Sequence, residues 1–152
     1  MKFCRTPLFI ALGILVFLGL ILLFGRKLLL SNGQWKGGTK SIGQHLFIPT
    51  YIRTLPRINL VGGSENYTFD EEVVGFACLE YQSSDLPEEL LAATLASLDV
   101  IGFNIRLQPD PSSPQEALVT NDKTLVGVST VAADEGGSRV NICDYGEITK
   151  AE

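Results

Sequence analysis

The amino-acid sequence predicts an α+β protein: a single N-terminal transmembrane helix, followed by a small domain with a largely antiparallel sheet and one main packed helix. Two observations lead to this fold class. Residues 8–24 form a run of seventeen residues without a polar side chain, which is typical of a membrane-spanning helix. Further along, several short segments with strand patterns surround one longer segment with the signals of a helix. The 152 residues leave room for one compact domain beside the apolar run.

The apolar run predicts a membrane-spanning helix over residues 7–30, after a short N-terminal tail of residues 1–6. At about 1.5 Å of rise per residue, its seventeen residues cover roughly 25 Å, slightly less than a hydrocarbon core of about 30 Å. Arg26 and Lys27 follow the run, and their long side chains can reach the headgroups while the apolar residues 28–30 extend the helix.

A cleaved secretory signal is the alternative interpretation of this segment, because Lys2 and Arg5 provide a basic start. The run is longer than the apolar region of about 7–15 residues in most signal peptides, and no small-residue cleavage pattern follows it. The next residues are Gly25, Arg26 and Lys27. We therefore expect a retained signal-anchor and a single-pass membrane protein.

Charge divides the chain more sharply than hydropathy does. Up to Arg57 there are eight basic and no acidic residues, whereas the residues from Ile58 onward include four basic and all seventeen acidic ones. This division predicts a basic juxtamembrane linker over 31–57, an acidic α+β domain over 58–148 and a C-terminal tail over 149–152.

The basic linker predicts contact with membrane lipid in addition to that of the helix. Aromatic side chains settle at the membrane interface, and each Lys or Arg near an anionic leaflet gains about 1 kcal/mol. The candidate lipid-contacting residues are Arg26, Lys27, Trp35, Lys36, Lys40, Arg53 and Arg57. A solvated linker that contacts no lipid is the alternative. Nucleic acid is not an expected partner, because the acidic domain repels phosphates.

The distribution of Lys and Arg around the apolar run hardly decides on which side of the membrane the acidic domain lies. Two basic side chains precede the run, and four follow it up to Lys40. By the positive-inside rule this distribution leans weakly towards a cytoplasmic domain. An acidic domain does not resist translocation, so we leave the side undecided at this point.

The first half of the acidic domain predicts a strand, a helix and a second strand. The apolar run at 73–81 is typical of a central strand covered on both faces. Asp85 is the predicted N-cap of a helix, with Glu88 three residues later, and this helix ends near Asp99. Alternating apolar and polar residues over 103–107 predict a strand with one solvent-facing side.

The second half of the domain predicts a short helical turn followed by a hairpin. The helical turn is expected over about 113–119, after prolines and serines that break the chain. Residues 125–133 and 138–145 are predicted to be two strands joined by a glycine-bearing loop. Two further candidate strands, at 45–48 and 58–61, complete a sheet that packs against one main helix.

Cys78 and Cys143 are a candidate disulfide. They lie in two predicted strands, 65 residues apart, and an oxidising compartment can join such a pair. Buried free thiols that pack as small apolar side chains are the alternative. The third cysteine, Cys4, stands just before the apolar run and is either a lipid-acylation site or a bystander thiol.

No residue pattern in the sequence identifies a catalytic or cofactor site. His45 is the only histidine, which excludes a metal site built from several histidines, and no nucleophile motif stands beside it. The adjacent pairs of acidic residues do not match a calcium loop. The triplet at 66–68 is a glycosylation sequon, which matters only in a eukaryotic lumen. We therefore expect neither a cofactor nor a metal, and we name no catalytic residue.

Taken together, these features predict a membrane-anchored protein whose acidic domain is a non-catalytic interaction or assembly module for a protein partner. The alternative is a small membrane-bound hydrolase or redox enzyme with a site that no motif reveals, and it is the less expected class. A deep pocket that gathers His45 or a cysteine with acidic side chains would favour the enzyme. A shallow apolar patch on the sheet would favour docking.

Overall fold

The computed structural model describes residues 11–20, 30, 33–71, 76–107, 115–134 and 136–147, with the backbone alone described at 105–107. The chain divides into two compact units, Met1–Gly33 and Gln34–Glu152.

The described part of the N-terminal unit contains the helix α1, over residues 11–20. Of the helices in the described residues, none is long and apolar enough to cross a membrane. The prediction of a transmembrane helix over 7–30 is therefore wrong for this structure, and with it the fold class and the signal-anchor interpretation that include such a helix. Residues 7–10 and 21–29 of that prediction lie outside the described residues.

The described part of the second unit contains seven strands and three helices. In chain order they are β1 (Gln34–Gly37), α2 (Ile42–Phe47), α3 (Thr50–Thr54), β2 (Asn66–Asp70), β3 (Phe76–Ser83), α4 (Pro87–Val100), β4 (Asn104–Leu107), β5 (Glu116–Thr120), β6 (Thr124–Ala132) and β7 (Ser138–Glu147).

The seven strands form one antiparallel sheet in the order β1-β2-β3-β7-β6-β5-β4. Strands β1 to β3 follow one another as a first meander, and strands β4 to β7 as a second. The helix α4 connects the two meanders, and the last strand, β7, returns to pair with β3. The β3–β7 pair is thus the junction that holds the two meanders together.

The three helices of this unit pack on one face of the sheet, which we call the covered face. Helix α4 packs against β6 and β7, α2 against β1, and α3 against β3. On β6 the Thr130 hydroxyl donates to the Pro87 carbonyl of α4 at 2.9 Å. Because side chains alternate along a strand, every second residue points to these helices, and most of these residues are buried. The core formed in this way includes Tyr67, Leu79, Leu98, Val128 and Ile142.

Residues 34–57, predicted to be a linker, contribute to this folded unit. Strand β1 pairs with β2 along its whole length, and the helices α2 and α3 bury Phe47 and Ile52. Ile52 is 0 % exposed. The apolar side chains between the basic ones leave water when they pack on the sheet, which a count of charges does not reveal. The compact unit therefore begins at Gln34 instead of Ile58.

Two glycines make room for Trp35, the single tryptophan of the chain. Trp35 is 8 % exposed, and its ring centroid lies 5.9 Å from that of Phe47. Phe47 in turn stacks on Phe69 of β2 at 5.0 Å. A Cβ atom at Gly43 or at Gly37 would overlap the indole, so α2 can approach β1 closely only because these positions lack a side chain.

Three predicted local features differ from the structure. Helix α4 follows Leu86, which is its N-cap residue and makes no side-chain capping bond, so the prediction of Asp85 as the cap is wrong. The helical turn predicted over 113–119 is replaced by a strand over Glu116–Thr120, whose backbone pairs with β4 on one side and β6 on the other. The candidate strand at 45–48 lies mostly in α2.

Strand β3 lies inside the sheet, as predicted for a central strand, and its two faces have different surroundings. The expected strand at 73–81 corresponds to Phe76–Ser83, and residues 73–75 lie outside the described residues. In the described part of the chain, helices cover the face of β3 that carries Leu79, while Phe76 and Cys78 lie on the other face. Within the described residues, the strand is therefore covered by helices on one face, while Cys78 on the other face is also buried.

Candidate functional site

The face of the sheet opposite the helices carries half-buried and exposed side chains across several strands. We call it the open face. Residues that pair directly in register share a face, and one such row runs through Asn66, Glu80, Asn141, Ser129 and Glu116. Most side chains of this face are polar, as expected for an antiparallel sheet with one solvated side.

An apolar strip crosses the open face from β3 to β5; it consists of Phe76, Tyr145 and Leu118. The ring centroids of Phe76 and Tyr145 are 5.6 Å apart. The Tyr145 ring then lies over Gly127 of β6, where a Cβ atom would come within 2.7 Å of it, and Leu118 is the register partner of Gly127. Because Gly127 has no side chain, the Tyr145 ring can lie across β6, and Leu118 on the neighbouring strand shares the same face. Tyr145 is 47 % exposed.

The strip adjoins a disulfide. Cys78 of β3 and Cys143 of β7 are directly opposite in register, with Cα atoms 4.1 Å apart and the sulfur atoms bonded to each other. The two residues are 7 % and 6 % exposed, so neighbouring side chains enclose the bond although it lies on the open face. The bond crosses the junction between the two meanders.

Charged side chains surround the apolar strip. Glu80 and Arg139 form an ion pair at 3.7 Å, with both side chains about half exposed. Asp70 is the register partner of Phe76, and its carboxylate accepts a hydrogen bond from the Gln34 amide at 2.8 Å. With Glu116 on β5, acidic side chains outnumber basic ones around the strip.

A partly buried polar cluster on the covered face joins α3 to β7. The Tyr51 hydroxyl donates to an Asp144 carboxylate oxygen at 2.7 Å, and the other oxygen accepts from the backbone N–H of Gly146, also at 2.7 Å. The Tyr51 ring lies 5.2 Å from that of Phe103. Burial, together with the hydrogen bond and the charge of Asp144, raises the pKa of Tyr51 well above its usual range. Tyr51 therefore keeps its proton and serves as a hydrogen-bond donor instead of a base.

The Arg57 side chain ties the end of the α3 segment to β2. Its Nε atom lies 2.5 Å from a carboxylate oxygen of Glu65, and its guanidinium also donates to the Tyr67 hydroxyl at 2.6 Å. The same group donates to the Ile52 carbonyl at 3.4 Å and to the Leu55 carbonyl. The Arg57 side chain is 12 % exposed. It acts as a cap for the carbonyls at the end of α3.

The candidate lipid-contacting residues fall into different environments. Arg26 and Lys27 lie outside the described residues. Trp35 is buried under α2, and Arg57 is paired with Glu65, so neither is placed to meet a lipid headgroup. Three members of the set have solvent-accessible side chains: Lys36, Lys40 and Arg53. Lys36 alternates with Trp35 along β1 and so lies on the open face.

His45 and the two paired cysteines lie on opposite sides of the sheet. His45 is exposed on α2, and its Nδ1 atom accepts a hydrogen bond from the Arg53 guanidinium at 2.7 Å. Within the described residues, no group of three or more His, Cys, Asp or Glu side chains is placed to hold a metal ion. A site that combines His45 with Cys78 or Cys143 is therefore not assembled here, because the sheet separates them.

The apolar strip corresponds to no pattern in the sequence. Its members come from three strands and lie far apart along the chain, so no local pattern joins them. The one signal in the sequence is Gly127, because a glycine within a strand often marks a position where another group approaches closely. In the structure, Gly127 is the register partner of Leu118 on one side and of Cys143 on the other.

Fold and site together define a two-layer α+β unit, with helices on one face of an antiparallel sheet and an apolar strip with an acidic surround on the other. No family model matches the sequence, and no curated protein or solved structure matches it significantly.

Proposed function

We propose that this chain is a non-catalytic interaction module that works at a membrane surface, and that its Gln34–Glu152 unit binds a protein partner through the open face of the sheet. The observation that carries this proposal is the apolar strip of Phe76, Tyr145 and Leu118, an apolar surface in a mainly polar face. Aromatic side chains with an apolar body and a polar end are frequent anchors in protein interfaces.

The charge of the unit indicates the chemistry of the partner. Residues 34–152 contain eight basic residues and all seventeen acidic ones of the chain, and Asp70, Glu80 and Glu116 lie on the face that carries the strip. Complementary charge speeds association and selects partners. The surface therefore fits a protein segment that carries aromatic or aliphatic side chains flanked by Lys or Arg.

Attachment to a membrane is the part of the proposal that rests on the apolar sequence of residues 8–24. This part of the proposal is limited to attachment of the chain to a membrane and includes no helix that crosses it. Deletion of residues 1–30 is expected to move the remaining chain from the membrane fraction to the supernatant. Recovery of the truncated chain in carbonate-washed membranes would contradict this attachment.

Direct lipid contact within residues 34–57 is proposed for Lys40, just before α2, and for Arg53 of α3, whose guanidinium contacts His45 on the solvent-facing side of α2. This side also exposes Ile42 at 73 % and Leu46 at 58 %, one helical turn apart. In the full-length chain, Lys40→Ala combined with Arg53→Ala should weaken association with anionic vesicles. Lys123→Ala, an exposed lysine in the β5–β6 turn, is the matched control. Equal association of all three chains would argue against lipid contact here.

Photo-crosslinking in cells tests the docking surface. A photoreactive residue at Ser129, on the open face beside Gly127, should give a discrete adduct. The same residue at Val100, which is 84 % exposed on α4, should not. The adduct should disappear when Tyr145→Ser and Leu118→Ser are combined.

The control for this experiment is the pair Val100→Ser and Ile101→Ser, two exposed apolar residues at the end of α4, which should leave the adduct at position 129 intact. The crosslinked peptide of the partner should contain apolar and basic residues. An adduct that survives the loss of the strip, or that forms equally from position 100, would show that the open face is not the docking surface.

A further inference from the structure

The disulfide of the open face bears on the compartment in which the compact unit folds. Cys78 and Cys143 are directly opposite in the antiparallel β3–β7 pair, and their Cα separation of 4.1 Å is close to that of a pair without mutual hydrogen bonds, about 4.5 Å. Side chains at such a position project side by side from the same face of the sheet. The fold itself therefore brings the two sulfur atoms together.

The pairing has no competitor within the unit. Residues 34–152 contain only these two cysteines, so no other intramolecular bond can form there. Both residues are buried, at 7 % and 6 % exposure. A thiol or a reductant must reach a sulfur atom for exchange to occur, and in the folded unit the surrounding side chains restrict that access. The folded unit thus encloses a bond that only these two cysteines can form within it.

We infer that the Gln34–Glu152 unit folds in an oxidising compartment, outside the reducing cytoplasm, where a disulfide-bearing oxidant closes the Cys78–Cys143 bond. The cytoplasm keeps protein thiols reduced, whereas secretory and periplasmic compartments oxidise them. The inference is independent of the docking surface.

The bond forms by two thiol–disulfide exchanges. The thiolate of one cysteine attacks the disulfide of the oxidant, which forms a mixed disulfide and releases one thiolate of the oxidant. The thiolate of the second cysteine then attacks the protein sulfur of the mixed disulfide, forms the Cys78–Cys143 bond and releases the second thiolate of the oxidant. Two electrons pass to the oxidant, and the two protons of the protein thiols end on its two thiols.

Thiol trapping of the full-length chain in its own cells tests the inference. Cells are quenched in acid, and the denatured chain is alkylated before and after chemical reduction. Cys78 and Cys143 should be alkylated only after reduction, and non-reducing mass spectrometry should show their peptides joined. A cytoplasmic protein with a free thiol, followed in the same sample, controls for oxidation during lysis. Alkylation of both cysteines before reduction would overturn the inference.

A chain without residues 1–30 shows whether the bond requires an oxidising compartment or forms wherever the unit folds. Expressed in a reducing cytoplasm, it should have both cysteines alkylated before reduction, while the full-length chain from its own cells has neither. If the truncated chain carries the bond in the cytoplasm, the bond needs no oxidising compartment and the inference fails.

Thermal unfolding of the purified full-length chain checks that the bond is part of the folded unit. Reduction should lower the midpoint by about 10 °C. The variant that combines Cys78→Ala with Cys143→Ala should have the same midpoint with and without reductant. An unchanged midpoint of the natural chain on reduction would show that the bond is not made.

Discussion

The covered and open faces of the sheet differ in how far their side chains can move. On the covered side the Trp35 ring lies against Gly43, and on the open face the Tyr145 ring lies over Gly127; at both glycines a Cβ atom would meet the ring. Trp35 is 8 % exposed, but Tyr145 is 47 % exposed. The same steric conflict should therefore be severe on one face and mild on the other, because an exposed ring can rotate away into solvent.

The largest expected effect tests whether residues 34–57 belong to the covered face. Ile52→Ala should lower the free energy of unfolding by about 3 kcal/mol, because it leaves a cavity under a side chain that is 0 % exposed. Ile42→Ala, on the solvent side of α2 and 73 % exposed, should change it by less than about 0.5 kcal/mol. Urea denaturation of the Gln34–Glu152 unit measures both, and equal small effects would support a flexible linker.

The two glycines give the sharpest comparison between the faces. Gly43→Ala should destabilise the unit by about 2 kcal/mol, since overpacking against the enclosed Trp35 exceeds the gain of up to about 1 kcal/mol in helix propensity. Gly127→Ala should lower stability by about 1 kcal/mol or less, because Tyr145 can move. Urea denaturation measures the loss of stability in each variant. A larger loss for Gly127→Ala than for Gly43→Ala would show that the open face is packed at least as tightly as the covered one.

The Tyr51 variant tests the partly buried hydrogen bond between α3 and β7. Tyr51→Phe removes the donor to Asp144 and should lower stability at pH 7 by about 1.5 kcal/mol. The pKa of Tyr51 is raised in the folded unit, so above about pH 10 the unfolded chain loses this proton while the folded unit keeps it. Tyr51 should therefore leave the free energy of unfolding unchanged below about pH 10 and lower it by roughly 1.4 kcal/mol per pH unit above that.

The pH dependence of urea unfolding checks this expectation. Between about pH 10 and pH 11.5, where an unfolded tyrosine loses its proton, the natural unit should lose stability more steeply than Tyr51→Phe. Tyr81, whose pKa burial also raises, remains in both proteins and accounts for the slope that is left. Parallel curves would mean that Tyr51 is not buried against Asp144.

The smallest effect is expected for the ion pair of the open face. Glu80 and Arg139 lie 3.7 Å apart and are about half exposed, and such pairs contribute little because water and salt screen them. Arg139→Ala should therefore change the free energy of unfolding by less than about 0.5 kcal/mol. A loss above about 1 kcal/mol in urea denaturation would indicate that the open face is covered by something other than water.

Local signals in the sequence predicted three of the four strands of the second meander. The periodic segments 125–133 and 138–145 correspond closely to the hairpin of β6 and β7, and alternation over 103–107 corresponds to β4. The helical segment after Pro87 also lies where expected, apart from its N-cap. In each of these segments, periodicity and turn residues act within about ten positions, so neighbouring residues carry enough information.

Other elements depend on contacts that no local pattern contains. Residues 116–120 favour a short helix by their capping signals but form β5, because two neighbouring strands supply its hydrogen bonds. The basic segment 34–57 suggests a solvated linker by charge, yet Ile52 and Phe47 find an apolar surface on the sheet. In both cases tertiary burial outweighs the local preference.

The sequence by itself determined the division of charge, the apolar character of residues 8–24 and the presence of two cysteines in the acidic part of the chain. Only the tertiary structure decided that β3 and β7 are neighbours, and hence that Cys78 meets Cys143 and that Phe76, Tyr145 and Leu118 form one strip. The physical reason is that composition and charge are properties of single residues. The pairing of strands far apart in the chain depends instead on the free energy of burying one common core, to which every element contributes.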